Sequence, residues 1–224
     1  MPSIRIVCFD WGGVILRHCR GWEEGCAAAG LPVRDGSLDP ALIAARRALT
    51  AEFQRGLLTP DEFFHRLAAA NRHLYTIDEL RRLHHCWLLT EYEGMSDVIH
   101  RLNQTPRIET ALLSNTNEEH WRRHLPVNGD PPDYPTALLL QHRHASHLLG
   151  LAKPDETIYR RFGELVGASP QEILFFDDLP DNIAAAERLG WRCELVDHNA
   201  DTAAQVTRAL IQHRVWSEQF ISRG

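Results

Sequence analysis

The chain has 224 residues, of which 44% are apolar and 24% charged, with a net charge of −6. That length fits one large domain, or one domain carrying a smaller insert; the apolar content excludes a mainly disordered chain, and an acidic balance without a basic stripe excludes a nucleic-acid surface. Of the 24 cationic residues, 23 are arginine and one is lysine, Lys153.

From the N-terminus, Ile4–Phe9 (I-R-I-V-C-F) is a short apolar, β-branched run stopped by Asp10-Trp11-Gly12-Gly13. That is the profile of a strand buried on both faces. The residues between it and position 110 show no convincing strand but several helix starts. Asp39-Pro40 opens one; Thr59-Pro60-Asp61-Glu62 is a capping box ahead of Phe63, Phe64 and Leu67; Thr76-Ile77-Asp78-Glu79 is another, ahead of Leu80, Leu83 and Trp87. An all-helical insert is therefore expected at 17–92, leaving a core of 1–16 and 93–224. Further strands are predicted at Thr110–Ser114, Ala137–Leu140, Ile173–Phe176 and Arg192–Val196. Helices are predicted at Glu118–Leu125, Pro154–Val166, Asn182–Leu189 and Asp201–His213, two of them closed by Gly167 and Gly190. Strands alternating with helices predict an α/β fold, a parallel sheet with helices on both faces.

Cys8, Cys19, Cys26, Cys86 and Cys193 are odd in number and contain no C-x-x-C pair, which fits free thiols in a reducing compartment. The first apolar stretch is too short for a signal peptide, and no apolar run is long enough to span a membrane. A soluble, cytoplasmic protein is expected.

In a parallel α/β sheet, ligands bind at the carboxyl ends of the strands. The informative residues are then Asp10 after the first strand, Ser114 and Asn115 after the second, Lys153 in the loop after the third, and Asp177 and Asp178 after the fourth. Two unit charges ~4 Å apart repel by about 4 kcal/mol at an effective dielectric of about 20. Three carboxylates and one ammonium at one edge are unbalanced, so a carboxyl stays protonated or a cation binds. Oxygen-only ligands that leave room for water suit Mg²⁺. A metal and a lysine together attract a dianion such as phosphate, and the Ser114 hydroxyl with backbone amides would complete the cradle. The histidine-rich stretches (His84-His85; His142, His144, His147) lack a matching ligand cluster nearby in sequence and are not expected to bind metal.

The segments F-D-W-G-G-V (9–14), L-L-S-N-T (112–116), L-A-K-P-D (151–155) and F-F-D-D-x-x-D-N (175–182) resemble, in order and spacing, the four motifs of the haloacid dehalogenase-like (HAD) hydrolase superfamily. The helical insert stands where that family's C1-type cap belongs, and the resemblance implies a Rossmann-like core. It implies that Asp10 is a nucleophile that becomes an aspartyl-phosphate, that Ser114 and the Asn115 amide hold phosphoryl oxygens, and that Lys153 bridges the phosphoryl group and the nucleophile. Mg²⁺ would be held by Asp10, the Gly12 carbonyl and Asp178. Asp178 is preferred over Asp177 by its distance from Gly190, which leaves Asp177 as a second ligand or an outer neighbour. Asn182 stands where many relatives carry another aspartate.

One departure concerns chemistry. The first motif usually reads D-x-D-G, and Gly12 removes the aspartate that protonates the leaving group and activates water, while retaining the carbonyl. This form resembles a branch of sugar-phosphate (alpha-D-glucose-1-phosphate) phosphatases with a D-L-G-N-V motif and, more distantly, the phosphatase half of soluble epoxide hydrolase. A substitute acid from the cap, His18 or a cap-borne water, is conceivable, but His18 beside Arg17 and Arg20 reads first as a surface histidine. Trp11 reads as packing beneath the site. The implied function is Mg²⁺-dependent hydrolysis of a small phosphorylated metabolite, with sugar phosphates foremost, by a monomer or homodimer with no nucleic-acid or membrane partner. Two alternatives stay open: a metal-independent 2-haloacid dehalogenase, and a catalytically weak HAD-like binding protein that has lost its acid at Gly12.

Overall fold

In the computed structural model, which describes residues 3–217, the run Ile6–Phe9 (β1) exposes no residue. The chain then turns through Trp11–Gly13 into Leu16–His18 (β2) and four helices, Trp22–Ala28 (α1), Pro40–Gln54 (α2), Pro60–Ala70 (α3) and Ile77–His85 (α4). Leu88–Glu91 (β3) returns antiparallel to β2. Met95–Asn103 (α5), Glu109–Ser114 (β4), Glu118–Trp121 (α6), His142–Ala145 (β5), Ser146–Leu149 (α7) and Glu156–Val166 (α8) follow, and Ile173–Asp177 (β6), Pro180–Arg188 (α9), Arg192–Leu195 (β7) and Thr202–Gln212 (α10) complete the described chain.

Five strands form one parallel sheet in the order β5-β4-β1-β6-β7, with β1 in the middle. Alternation along β1 feeds two cores. Val7 and Phe9 pack with Met95, Ile99 and Leu102 of α5 and Val206 and Leu210 of α10. Ile6 and Cys8 face the other way, onto Ile158, Tyr159 and Phe162 of α8 and Ile183 and Ala186 of α9. The predicted α/β class, a parallel sheet covered by helices on both faces, is thus observed. The register Phe9↔Phe176 sets Asp10 beside Asp177 at the carboxyl edge.

A third apolar cluster lies within the helices that follow β2, built from Phe53, Phe63, Phe64, Leu67, Leu80 and Leu83. Both predicted capping boxes form: the Thr59 side chain accepts from the Glu62 N–H and that of Thr76 from the Glu79 N–H, and each glutamate accepts the threonine N–H in return. No helix among the described residues is long and apolar enough to cross a membrane.

Two expectations are corrected. Ala137–Leu140 is not a strand; Pro135–Leu139 forms a 3₁₀ turn, and Ala137 within it and Leu140 after it are apolar because they lie on the core. The strand is His142–Ala145, polar because an edge strand pairs on one side only. The segment 17–92 is also not wholly helical, since β2 and β3 form a two-stranded ribbon at its two ends. Tyr134 Oη donates to the Leu88 carbonyl at 2.9 Å, and Glu91 accepts from the Thr136 N–H and hydroxyl, anchoring that ribbon to the core.

The helices after β2 meet the core through two stacked imidazoles, His84 of α4 and His120 of α6, with centroids 3.9 Å apart. His120 Nε2–H donates to the His84 carbonyl at 2.8 Å. Burial pushes His120 down to about 4 against the opposing hydrogen bond to the His84 carbonyl, and burial, with His120 adding to it, holds His84 well below the ordinary histidine value. The unfolded chain protonates His120 near the usual histidine value, about 6.5, whereas the folded protein resists that proton until about 4. Stability from His120 is therefore full above the higher pH and is lost as pH falls toward the lower. His120→Gln is expected to flatten that loss by up to about 3 kcal/mol, read by urea denaturation at acidic and neutral pH; an unchanged slope would refute it.

Candidate active site

β1 delivers Asp10 to the carboxyl edge, where its N–H donates to the Phe176 carbonyl at 2.8 Å and the next N–H, of Trp11, donates to Asp10 Oδ1 at 2.7 Å. The turn that follows packs tightly. Gly13 has φ +82°, and a Cβ there would stand 2.3 Å from the Asp178 carboxyl carbon, so glycine is required on both counts. Trp11 is buried against Trp121, His124 and Tyr134 in edge-to-face contacts, the packing role expected of it.

Lys153 is the hub. Its side chain is wholly buried, with Nζ 3.0 Å from Asp10 Oδ1, 2.7 Å from Asp177 Oδ2 and 5.2 Å from the Phe175 ring centroid. Burial alone would lower its pKa, but the two carboxylates outweigh burial and hold the ammonium well above the lysine range. Burial pushes the Asp10 carboxyl up to about 7; Lys153 opposes this, while Asp177 and Asp178 add to it. Asn115 fixes the lysine's backbone with both ends of its amide: Oδ1 accepts from the Lys153 N–H at 2.9 Å and Nδ2 donates to its carbonyl at 2.8 Å. Ser114, buried at the end of β4, keeps a hydroxyl with no hydrogen bond to the described residues.

The two neighbouring aspartates differ. Asp177 is fully occupied: Lys153 donates to Oδ2, Asn182 Nδ2 donates to both oxygens at 3.0 Å, and the Leu179 N–H donates to Oδ1 at 2.9 Å. Asp178 instead meets Arg20 Nη1, from the helical segment, at 2.5 Å through Oδ2, and His198 Nδ1, from the loop after β7, lies 3.8 Å away. One oxygen from each of Asp10, Asp177 and Asp178 lies within 4.8 Å of the others, a cluster that could hold a metal ion. Three carboxylates then face two cations, so one negative charge is left over. Arg20 and Asn182 are the residues that sequence reasoning missed as partners. Nothing local marks Arg20, which pairs across 158 positions. Asn182 was seen only as a missing aspartate, yet an amide is what can donate to Asp177.

A model of the haloacid dehalogenase-like hydrolase family matches residues 4–190. The chain belongs to this family. Among solved structures, this HAD hydrolase is similar to a HAD-like family hydrolase from Porphyromonas gingivalis, at 26% identity and TM-score 0.72 over 93% of this chain and 98% of that one. It also shares its fold with a HAD family enzyme from Bacteroides thetaiotaomicron in complex with magnesium and inorganic phosphate, at 20% identity and TM-score 0.68 over 89% and 97% of the two chains. The phosphatase MT3486 of Mycobacterium tuberculosis is 39% identical over 66 residues, which span 30% of this chain and 30% of that protein.

In this HAD hydrolase the place of a residue-12 side chain is already filled. A Cβ on Gly12 would stand 2.7 Å from His18 Cδ2 and 2.9 Å from His18 Nε2. His18 is half-buried with its ring against the first-motif turn, in contrast to the surface histidine expected from its arginine neighbours.

Proposed function

We propose that this HAD hydrolase is a Mg²⁺-dependent phosphatase acting on a small phosphorylated metabolite, with sugar phosphates as the favoured class, through an aspartyl-phosphate on Asp10. Residues 1–16 and 93–224 form the catalytic core and 17–92 the cap, a division supported by the separate apolar cluster within α1–α4. The observation that carries the reading is the buried ammonium of Lys153 between Asp10 and Asp177, beside a third carboxylate. Such an edge is under-neutralised for itself and suited to a cation and a dianion together.

The donor set fits Mg²⁺: carboxylate oxygens of Asp10 and Asp178 and the Gly12 carbonyl, oxygen ligands only, with room for water. Bound there, Mg²⁺ would offset charge on the phosphoryl oxygens. With its oxygens taken by Lys153, Asn182 and the Leu179 N–H, Asp177 is assigned to orienting Lys153 in place of serving as a second metal ligand. The Asp10 carboxylate attacks phosphorus, and the ester P–O bond breaks with its electron pair going to the departing oxygen. Water then attacks phosphorus and returns the Asp10 carboxylate. Lys153 Nζ, the Ser114 hydroxyl and the Asn115 N–H stabilise the phosphoryl oxygens, and burial of Lys153 and Ser114 strengthens their effect.

Hydrolysis of p-nitrophenyl phosphate is expected with Mg²⁺ and to fall about 10²-fold or more in chelator, the rate equivalent of losing several kcal/mol of charge stabilisation. Full activity in chelator would remove the metal role. Halide release from 2-chloropropionate without phosphatase activity would instead make the protein a dehalogenase. A beryllofluoride adduct on Asp10 without turnover on a broad phosphate-ester panel would make it a binding protein.

A further inference from the structure

We propose that His18 is the general base of this enzyme, taking a proton from the water that hydrolyses the aspartyl-phosphate and so standing in for the side chain absent at Gly12. The inference rests on the phosphatase reading above, and it is carried by the fit between Gly12 and His18. Gly12, unlike Gly13, does not adopt positive φ, so its backbone does not demand glycine. The imidazole does. Any Cβ at position 12 would meet His18 Cδ2 at 2.7 Å and Nε2 at 2.9 Å, so a side chain there would have to displace the ring.

The ring is held in a definite orientation. Alternation along β2 puts Leu16 and His18 on one side and Arg17 in solvent, and the β2–β3 register shifts between Arg17 and His18. Such irregularities commonly re-aim a side chain beside an active site. His18 Nδ1 lies 2.9 Å from the Cys19 carbonyl, and the Cys19 N–H in turn donates to the Trp87 carbonyl at 2.9 Å. A carbonyl only accepts, so Nδ1 carries a hydrogen and the neutral ring keeps its lone pair on Nε2. Nε2 has no hydrogen bond to the described residues. A base with one nitrogen anchored and the other free beside the nucleophile's turn is the arrangement that water activation needs.

In the step, the water oxygen bonds to phosphorus while its proton moves to Nε2. The P–O bond to Asp10 breaks and its electron pair returns to the carboxylate. Inorganic phosphate departs, and the half-exposed imidazolium passes the proton to solvent.

The test uses p-nitrophenyl phosphate with Mg²⁺, whose leaving group needs no proton. His18→Ala and His18→Gln are expected to release a burst of about one p-nitrophenolate per site, then turn over about 10²-fold more slowly than wild type or slower still. Acid quench and mass analysis should find the phosphoryl group accumulated on the Asp10 peptide in these variants. Gly12→Asp alone should not be faster than wild type, because the new side chain collides with His18. The double variant Gly12→Asp/His18→Ala should recover at least tenfold over His18→Ala. Near-wild-type turnover in both His18 variants, loss of the burst together with turnover, or no recovery in the double variant would overturn the role of His18. A wild-type protein that neither releases phosphate nor becomes phosphorylated would instead refute the phosphatase reading.

Discussion

Asp10→Asn is expected to abolish phosphatase turnover, by roughly 10⁴-fold or more, as removal of a covalent nucleophile does elsewhere. The asparagine oxygen can still accept from the Trp11 N–H and Lys153 Nζ, so the loss reports chemistry and not collapse of the site. Stability supplies the control. In the unfolded chain the Asp10 carboxyl titrates near 3.8, and in the folded protein burial moves it to about 7. Between those values the folded state holds a proton that the unfolded state has released, so this carboxyl's contribution to stability is full below the lower value and is lost as pH rises through the higher. Asparagine, neutral throughout, removes that loss. Without added metal, the variant should therefore be no less stable than wild type at pH 7.5, by urea denaturation. An inactive variant that is also strongly destabilised would leave the nucleophile unsupported.

Lys153→Arg conserves charge and is nevertheless expected to lower kcat/KM by about 10²-fold or more while the protein folds normally. The pocket is made for a point charge: Nζ reaches Asp10 and Asp177 at 3.0 and 2.7 Å from a fully buried position over Phe175. A guanidinium is planar, larger, and satisfied by two oxygens of one carboxylate, so it would pair with one aspartate and displace the other. Overpacking at such a site costs about 1–3 kcal/mol, and a comparable loss in the transition state gives the expected rate effect. The Asn115 clamp on the Lys153 backbone prevents relaxation by a shift of the chain. A chain with 23 arginines keeps its single lysine at the position where arginine does not fit. Near-wild-type turnover in this variant would reduce that coincidence to codon bias.

Asp10, Asp177 and Asp178 are legible in the sequence because continuous apolar strands point straight at them, and a buried parallel sheet leaves its functional side chains at the strand ends. The same rule misleads at the sheet edge. His142–Ala145 has no apolar run to announce it, while Ala137–Leu140 has one for a different reason, burial in a turn over the core. The ribbon of β2 and β3 is also silent, since three or four residues carry too little pattern and their pairing joins segments some 70 positions apart. That ribbon is what aims His18, so its role depends on a contact with Gly12 that no local pattern encodes. Arg20 is hidden likewise, by its distance in sequence from Asp178. Asn182 is visible in the motif as a departure from aspartate, and its two hydrogen bonds to Asp177 are what an amide there supplies.

The most direct measurement is rapid acid quench of the wild-type protein turning over p-nitrophenyl phosphate with Mg²⁺, followed by peptide mass analysis. A phosphoryl group carried by Asp10 is expected, formed at the rate of p-nitrophenolate release and absent from Asp10→Asn. Phosphate release with no labelled peptide, or with the label on another residue, would contradict it.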